Sequence, residues 1–424
     1  MENNTYNKYV NLLRHEMAKA LGCTEPIAVA LAGAKAKETL GTMPEKMLVK
    51  CSKNIIKNVK GVIIPTTTNM RGIDVACVLG AVAGKSKYEL EVLRDVKDSD
   101  IKTLKEYLAR GICKVEELNS KDNLHIICIA ESGNDTVEVE IIKSHTNISL
   151  VKKNGKVLFE NRPSEDDTQY STINYDFMNF EGVCNFADVF KIDDLKDLFD
   201  LEIECNNAIA EEGLKNNYGA NVGKTIMKNA NGSIKEIAKA YAAAGSDARM
   251  NGCSMAVVIN SGSGNQGMTI LSTVYQYWKH LQLPKEKLYR ALCLANLLGL
   301  WQKAKIGKLS AFCGAVGAAT GAGAAVTYMK NGTREQIGNT IINSLCAAGG
   351  IVCDGAKSSC ALKIATAVEC AINASDMALS GNVFQNGEGL VKGSLEKTVE
   401  AVCRMARIGM KGTDEEILNI MLDK

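Results

Sequence analysis

No pair of cysteines in this sequence has the C-x-x-C spacing, although the chain carries fifteen of them. Zinc ribbons, thioredoxin-type redox sites and the clustered ferredoxin run are thereby excluded, and any metal site has to be assembled from distant segments. An excess of charge of one sign is missing as well. The 50 basic and 48 acidic residues leave a formal net charge of +2, so no basic field draws a nucleic-acid backbone or an anionic lipid surface. The longest apolar runs are rich in glycine and alanine and interrupted by charge, which argues against a membrane span. The opening stretch MENNTYNKYVNLLRHEMAKA is polar, with apolar residues at helical spacing and no secretory signal. With an odd number of cysteines, the expectation is a reducing cytoplasm in which most of them are small buried hydrophobes and disulfides do not form.

With 46% hydrophobic and 23% charged residues over 424 positions, the chain is long enough for two or more packed domains. From Thr5 to Leu40 the pattern predicts two helices joined by LGCTEP, in which Gly22 ends the first and Pro26 fits the first turn of the second. Between about Met47 and Phe159, KMLVKCS, NLHIICIAES, TVEVEIIKS and ISLVKKNGKVLFE alternate or are rich in β-branched residues, with KNG as a hairpin turn. GIDVACVLGAVAG and VLRDVKDSDIKTLKEYLARG are the helices of this zone. NRPSEDDTQYSTINY, residues 161–175, is polar and turn-rich and predicts a linker. Beyond it the apolar periodicity is helical nearly to the end. The expected class is α+β: residues 1–45 are N-terminal helices packing on the catalytic domain, 46–165 a smaller α/β sheet domain, and 176–424 an all-helical domain.

Cys51, Cys77, Cys128, Cys293 and Cys370 lie inside apolar runs and read as core. Cys23, Cys313 and Cys353 differ. Each lies at or near a helix end beside glycine (GCTEP, FCGA, VCDGA), where free backbone donors and the helix field favour a thiolate. Three thiolates are one short of the four that usually hold a 4Fe-4S cluster, and a missing ligand leaves one iron open as a Lewis acid. Cys346 and Cys360 lie near the same segment and are alternatives that would complete an ordinary set. The Gly/Ala run FCGAVGAATGAGAA has little bulk, which suits close helix packing, within one chain or across a homodimer, and clears room for a compact group.

Two stretches have the makings of a carboxylate pocket. PTTTNMRG, residues 65–72, leads from an apolar strand into a helix, so Thr68, Asn69 and the Gly72 backbone are candidates, with simple helix capping as the plain alternative. NSGSGNQG, residues 260–267, offers Ser261 and Ser263 in a similar nest. GANVGKT has too few residues between its glycines for a P-loop.

The segments HEMAKALGCTEPIAVALAGAKA, SGSGNQGM, KLSAFCGAVGAATGAGAA and GGIVCDGAKSSCALK occur in the expected order, and over nearly its whole length the chain resembles the L-cysteine desulfidase family, relatives of the α-domain of iron-sulfur L-serine dehydratases. The resemblance implies a 4Fe-4S enzyme that converts its small partner, L-cysteine, to sulfide, ammonia and pyruvate without pyridoxal phosphate. It places the three cluster ligands at Cys23, Cys313 and Cys353, which makes 176–424 the iron-sulfur domain. Two residues are candidates for the base. Lys357 stands close to Cys353 in CDGAKSSC. His145 in KSHTN, with Thr146 and Asn147, is similar to the Ser-His-Thr stretch that serine dehydratases use near substrate. A surface or carboxylate-pairing lysine and a solvated turn histidine are the plain alternatives. The competing functions are an L-serine dehydratase on the same cluster and a non-enzymatic iron or oxygen sensor; the spacing from Cys353 to Cys360 departs from the proline-rich spacing of the dehydratases.

Overall fold

The structure, a computed structural model, describes residues 1–162, 175–307 and 309–422. Nearly all of the linker expected at 161–175 therefore lies outside the described residues. The chain begins with α1 (Asn3–Glu16), β1 (Lys19–Leu21), α2 (Thr24–Leu40), β2 (Lys46–Cys51), α3 (Lys53–Lys60), α4 (Ile73–Ala83) and α5 (Asp98–Ala109). Five strands follow: β3 (Cys113–Glu117), β4 (His125–Ser132), β5 (Asp135–Ile142), β6 (Ile148–Lys153) and β7 (Lys156–Glu160).

Strands β2 to β7 form one six-stranded sheet in the order β3-β2-β4-β5-β6-β7. Only β2 and β3 pair in parallel; the rest is antiparallel. The period of two in the sequence is the side-chain alternation of a sheet with one covered face. In β4, Ile126, Cys128 and Ala130 are fully buried while their neighbours are not. Helices α2 and α4 pack on this sheet and on each other. Their small residues allow a backbone-to-backbone approach: a Cβ at Gly80 would fall 2.0 Å from the Ala30 carbonyl oxygen, and one at Gly33 would fall 2.2 Å from that of Cys77.

The second region holds α6 (Phe180–Val189), α7 (Lys196–Lys215), α8 (Val222–Lys228), α9 (Ile234–Met250), β8 (Ala256–Val258), α10 (Gly264–Leu281), α11 (Lys285–Ile306), α12 (Gly314–Met329), α13 (Arg334–Ala348), α14 (Cys360–Leu379), α15 (Leu395–Arg404) and α16 (Lys411–Met421). The Gly/Ala helix α12 is its axis, packed against α10, α11, α13 and α14, and nearly all its side chains are buried. The protein is thus α+β with a mainly helical C-terminal region.

Four local expectations need correction. Gly22 does not end the first helix: α1 stops at Glu16, and β1 intervenes and pairs antiparallel with β8, so the C-terminal region is not purely helical. The helix expected from Val92 starts only at Asp98, after a 3-10 turn spanning Ser86–Glu91. Helix α3 was not expected; KNIIKNVK is short and lysine-rich, and it is held by Ile55 and Val59, one turn apart and fully buried. Cys370 is only half-buried, whereas Cys51, Cys77, Cys128 and Cys293 are core as expected. The two N-terminal helices part company: α1 puts Tyr9, Leu12 and Leu13 into the helical core, and α2 belongs to the core of the sheet. Among the described residues no helix is long and apolar enough to cross a membrane.

Candidate functional site

Cys313 and Cys353, far apart in sequence, are joined by a short antiparallel bridge between Phe312 and Val352. The Cys313 amide donates to the Ile351 carbonyl at 3.1 Å and the Cys353 amide to that of Ala311 at 2.6 Å. Cys313 is then the N-cap of α12. Cys23 is the N-cap of α2, set there by the tight turn at Gly22, whose φ of +59° and contact with Pro65 leave no room for a side chain. Cys360 opens α14. These four cysteines line one cavity of about 100 Å³, together with Glu25, Arg249, Ser263 and Asn265.

The cavity is where α2, α10, α12 and α14 all begin. Four helix N-termini at one cavity contribute a positive field, and backbone N–H groups there favour an anionic occupant. The buried Arg249 guanidinium adds to it. Glu25 opposes it. Its Oε2 accepts from the Cys23 thiol at 3.0 Å and its Oε1 from Asn58 at 3.3 Å, while His145 Nε2 stands 3.5 Å from Oε1. Burial alone would raise the Glu25 carboxyl; the neighbouring His145 ring and the hydrogen bond from the Cys23 thiol outweigh it and hold the group at about 2.

The expected thiolates need a correction here. Burial, and then the Glu25 carboxylate, push the Cys23 thiol well up against the pull of Arg249. Burial and the neighbouring Cys353 push Cys313 up to about 12, and burial raises Cys360. The helix field alone does not ionise a thiol as buried as that of Cys23. Iron binding must displace the protons, as is general for thiolate ligands.

Four cysteine sulfurs from separate segments around one cavity are the donor type that an iron-sulfur group takes, while among the described residues no three His, Cys, Asp or Glu side chains are arranged to hold a metal ion.

The other residues expected from the sequence divide into those at the cavity and those away from it. Ser263 lines it as the N-cap of α10, accepting from the Gln266 amide. Ser261 is buried one step behind, its amide given to the Glu16 carbonyl. His145, also buried, stands behind Glu25 and against Gly262. Thr146 and Asn147 line a different groove, beside α2 and β7, and the Asn147 side chain serves its own turn through Ile142. Thr68 and Asn69 are exposed, with Thr68 at a φ of 66°, and they are not among the cavity's walls. Lys357 is likewise absent from the walls; its ammonium is held by Asp354, at 2.5 Å from the carboxylate. Cys346 lies outside the cavity and Cys360 within it.

Three residues went unnoticed in the sequence. Glu25 sits in the quoted GCTEP motif, where an acid beside a cysteine at a helix start was the available signal. Arg249 lies in the last turn of α9, in SDARMNG, where a cation is ordinary and gives no sign of a site. Lys303 lies on α11 and is only 7% exposed; burial lowers its ammonium, against the pull of Cys353, Cys313 and Glu25. A lysine inside the apolar run LLGLWQKAKI was its mark.

Residues 87–419 match the family described as serine dehydratase alpha chain, and the chain belongs to that family of lyases. Its relatives include three UPF0597 proteins. The one from Lachnoclostridium phytofermentans is 47% identical over 418 residues, 99% of this chain and 100% of the relative. That of Finegoldia magna is 45% identical, covering 98% and 99%, and that of Treponema denticola 41% identical, covering 100% and 99%. The matched family span holds Cys313, Cys353 and Cys360 but not Cys23, whereas these relatives extend over essentially the full chain. The relation to the iron-sulfur serine dehydratase α-domain implies a 4Fe-4S group.

Proposed function

We propose that the protein is an L-cysteine desulfidase, which eliminates sulfide from L-cysteine and leaves ammonia and pyruvate. The observation that carries this is the meeting of Cys23, Cys313 and Cys353 at one cavity where four helices begin. These three residues would hold the 4Fe-4S group; Cys360 lines the same cavity, and the open iron requires that it stay unligated. When bound, it supplies an iron short of a protein ligand, a Lewis acid soft enough for a sulfur leaving group.

The chain's own residues do the rest. His145 and Glu25 form the proton-handling pair: Glu25, held as a carboxylate, faces the cavity and positions His145, packed between Gly262 and Glu25, as the proton acceptor. Lys357 is bound up with Asp354 and is set aside as the base. After the Cα proton has left and the C–S bond has broken, aminoacrylate hydrolyses through its imine to pyruvate and ammonia.

The family match favours a second reading, an L-serine dehydratase on the same site. Protein reconstituted with iron and sulfide without oxygen is expected to release sulfide and pyruvate in equal amounts from L-cysteine. Turnover of L-serine alone would move the assignment to the dehydratase. A bound cluster with neither activity would leave an iron or oxygen sensor.

A further inference from the structure

We propose that Arg249 is the receptor for the α-carboxylate of the amino acid that enters this cavity. The proposal rests on the reading of the cavity as an amino-acid site.

The case begins with burial. Arg249 is 2% exposed and heads the fully buried side chains by size. A guanidinium so placed has lost its water and needs both hydrogen-bond partners and a counter-charge. Its partners are two neutral oxygens: Nη1 donates to Asn265 Oδ1 at 2.5 Å and Nη2 to the Gly22 carbonyl at 2.6 Å. Two of five N–H groups are thus used, and Nε has no partner among the described residues. No carboxylate forms an ion pair with Arg249 among the described residues; Glu25, the acid in the same cavity, is held by His145, Asn58 and the Cys23 thiol instead. The counter-charge is left for whatever fills the cavity.

The shape of the group says which anion. Arginine presents parallel N–H bonds in a planar fork that matches a carboxylate, and its strength depends on that bidentate fit. Asn265 and Gly22 fix the plane of the fork from two sides. Gly264, the first residue of α10, lets the plane lie against the backbone: a Cβ there would fall 2.5 Å from Arg249 Cζ. The guanidinium is therefore pre-oriented at a helix start, where backbone donors add to its pull on an anion. The guanidinium also feels the Cys23 sulfur, so the test has to separate a receptor for substrate from a counter-ion of the cluster.

The test uses ligands that cannot react. Anaerobically reconstituted wild-type protein, with iron and sulfide determined, is titrated calorimetrically with L-alanine and with L-alaninamide, which has the same size but no carboxylate. L-Alanine should bind and L-alaninamide should bind far more weakly. Arg249→Gln should weaken L-alanine about 100-fold and Arg249→Lys should recover part of that loss; in turnover the change should fall on KM more than on kcat. Equal affinity of the wild type for the two ligands, or binding of neither, overturns the proposal without recourse to a variant. So does an Arg249→Gln protein that loses iron while holding L-alanine as before, which would make Arg249 a counter-ion of the cluster. If L-alanine binds through its carboxylate and neither L-cysteine nor L-serine is consumed, the proposed reaction fails and the receptor stands.

Discussion

Glu202 is the sharpest probe of how the serine-glycine loop is held. It lies on α7, one turn before Asn206, and both are fully buried. Asn206 brackets Val258 of β8, donating to its carbonyl at 3.0 Å and accepting from its amide at 2.7 Å. Both Glu202 oxygens accept from the Asn296 amide at 3.2 Å, and Asn296 in turn accepts from Asn260 at 2.9 Å. This row of buried amides fixes the start of the loop that delivers Ser263 and Asn265 to the cavity. Burial without a cationic partner raises the Glu202 carboxyl to about 8, against the lesser pull of Asn296. Its ordinary value is 4.5. Between those two values the folded protein keeps a proton that the unfolded chain has released, so stability falls as pH rises, by about 1.4 kcal/mol per pH unit. The loss is absent below pH ~4.5 and complete above pH ~8, where it amounts to about 5 kcal/mol. Glu202→Gln keeps the acceptor and removes the titration. It is expected to match the wild type at pH ~4 and to exceed it by about 3 kcal/mol at pH ~7. Urea unfolding midpoints of both proteins across this range measure the difference. Infrared titration checks the origin, since a protonated-carboxyl band should vanish in the wild type near pH ~8 and be missing in the variant. A difference between the two proteins that does not change with pH would refute the reasoning.

Two further outcomes test the cavity itself. Gly264→Ala forces a methyl group against the Arg249 guanidinium and should cost about 1–3 kcal/mol, read from thermal unfolding, together with a raised KM if the fork is displaced. Cys23→Ala should lower bound iron and abolish turnover while the far-UV spectrum stays helical, whereas Cys293→Ala, at a fully buried core position, should keep its iron and lose only about 1 kcal/mol; full activity in the Cys23 variant would remove that residue from the site.

How far the site was legible before the structure follows from the kind of signal each residue carries. Cys23 and Cys313 announce themselves because helix starts are written locally, by a cap residue and by glycine beside it. The strands β4 and β5 are equally plain, since eight residues are enough to show a period of two. Strands β1 and β8 have three residues each and show no period, yet their pairing carries the chain from α1 towards Cys23 and holds the Asn260 loop in place. The Phe312–Val352 bridge that sets Cys353 beside Cys313 is shorter still. Contacts of this length are decided by the packing of whole helices, and no window of sequence contains them. Arg249 lies between these extremes. Its position at the end of α9 is predictable, and at a surface helix end an arginine needs no other explanation. What makes it a site residue is the burial imposed by α10, and that burial depends on Gly264, whose lack of a side chain the sequence does state. A glycine directly after a serine N-cap, within a few turns of a buried arginine, is therefore a pattern to search for in other chains that bring helix starts together around a cavity.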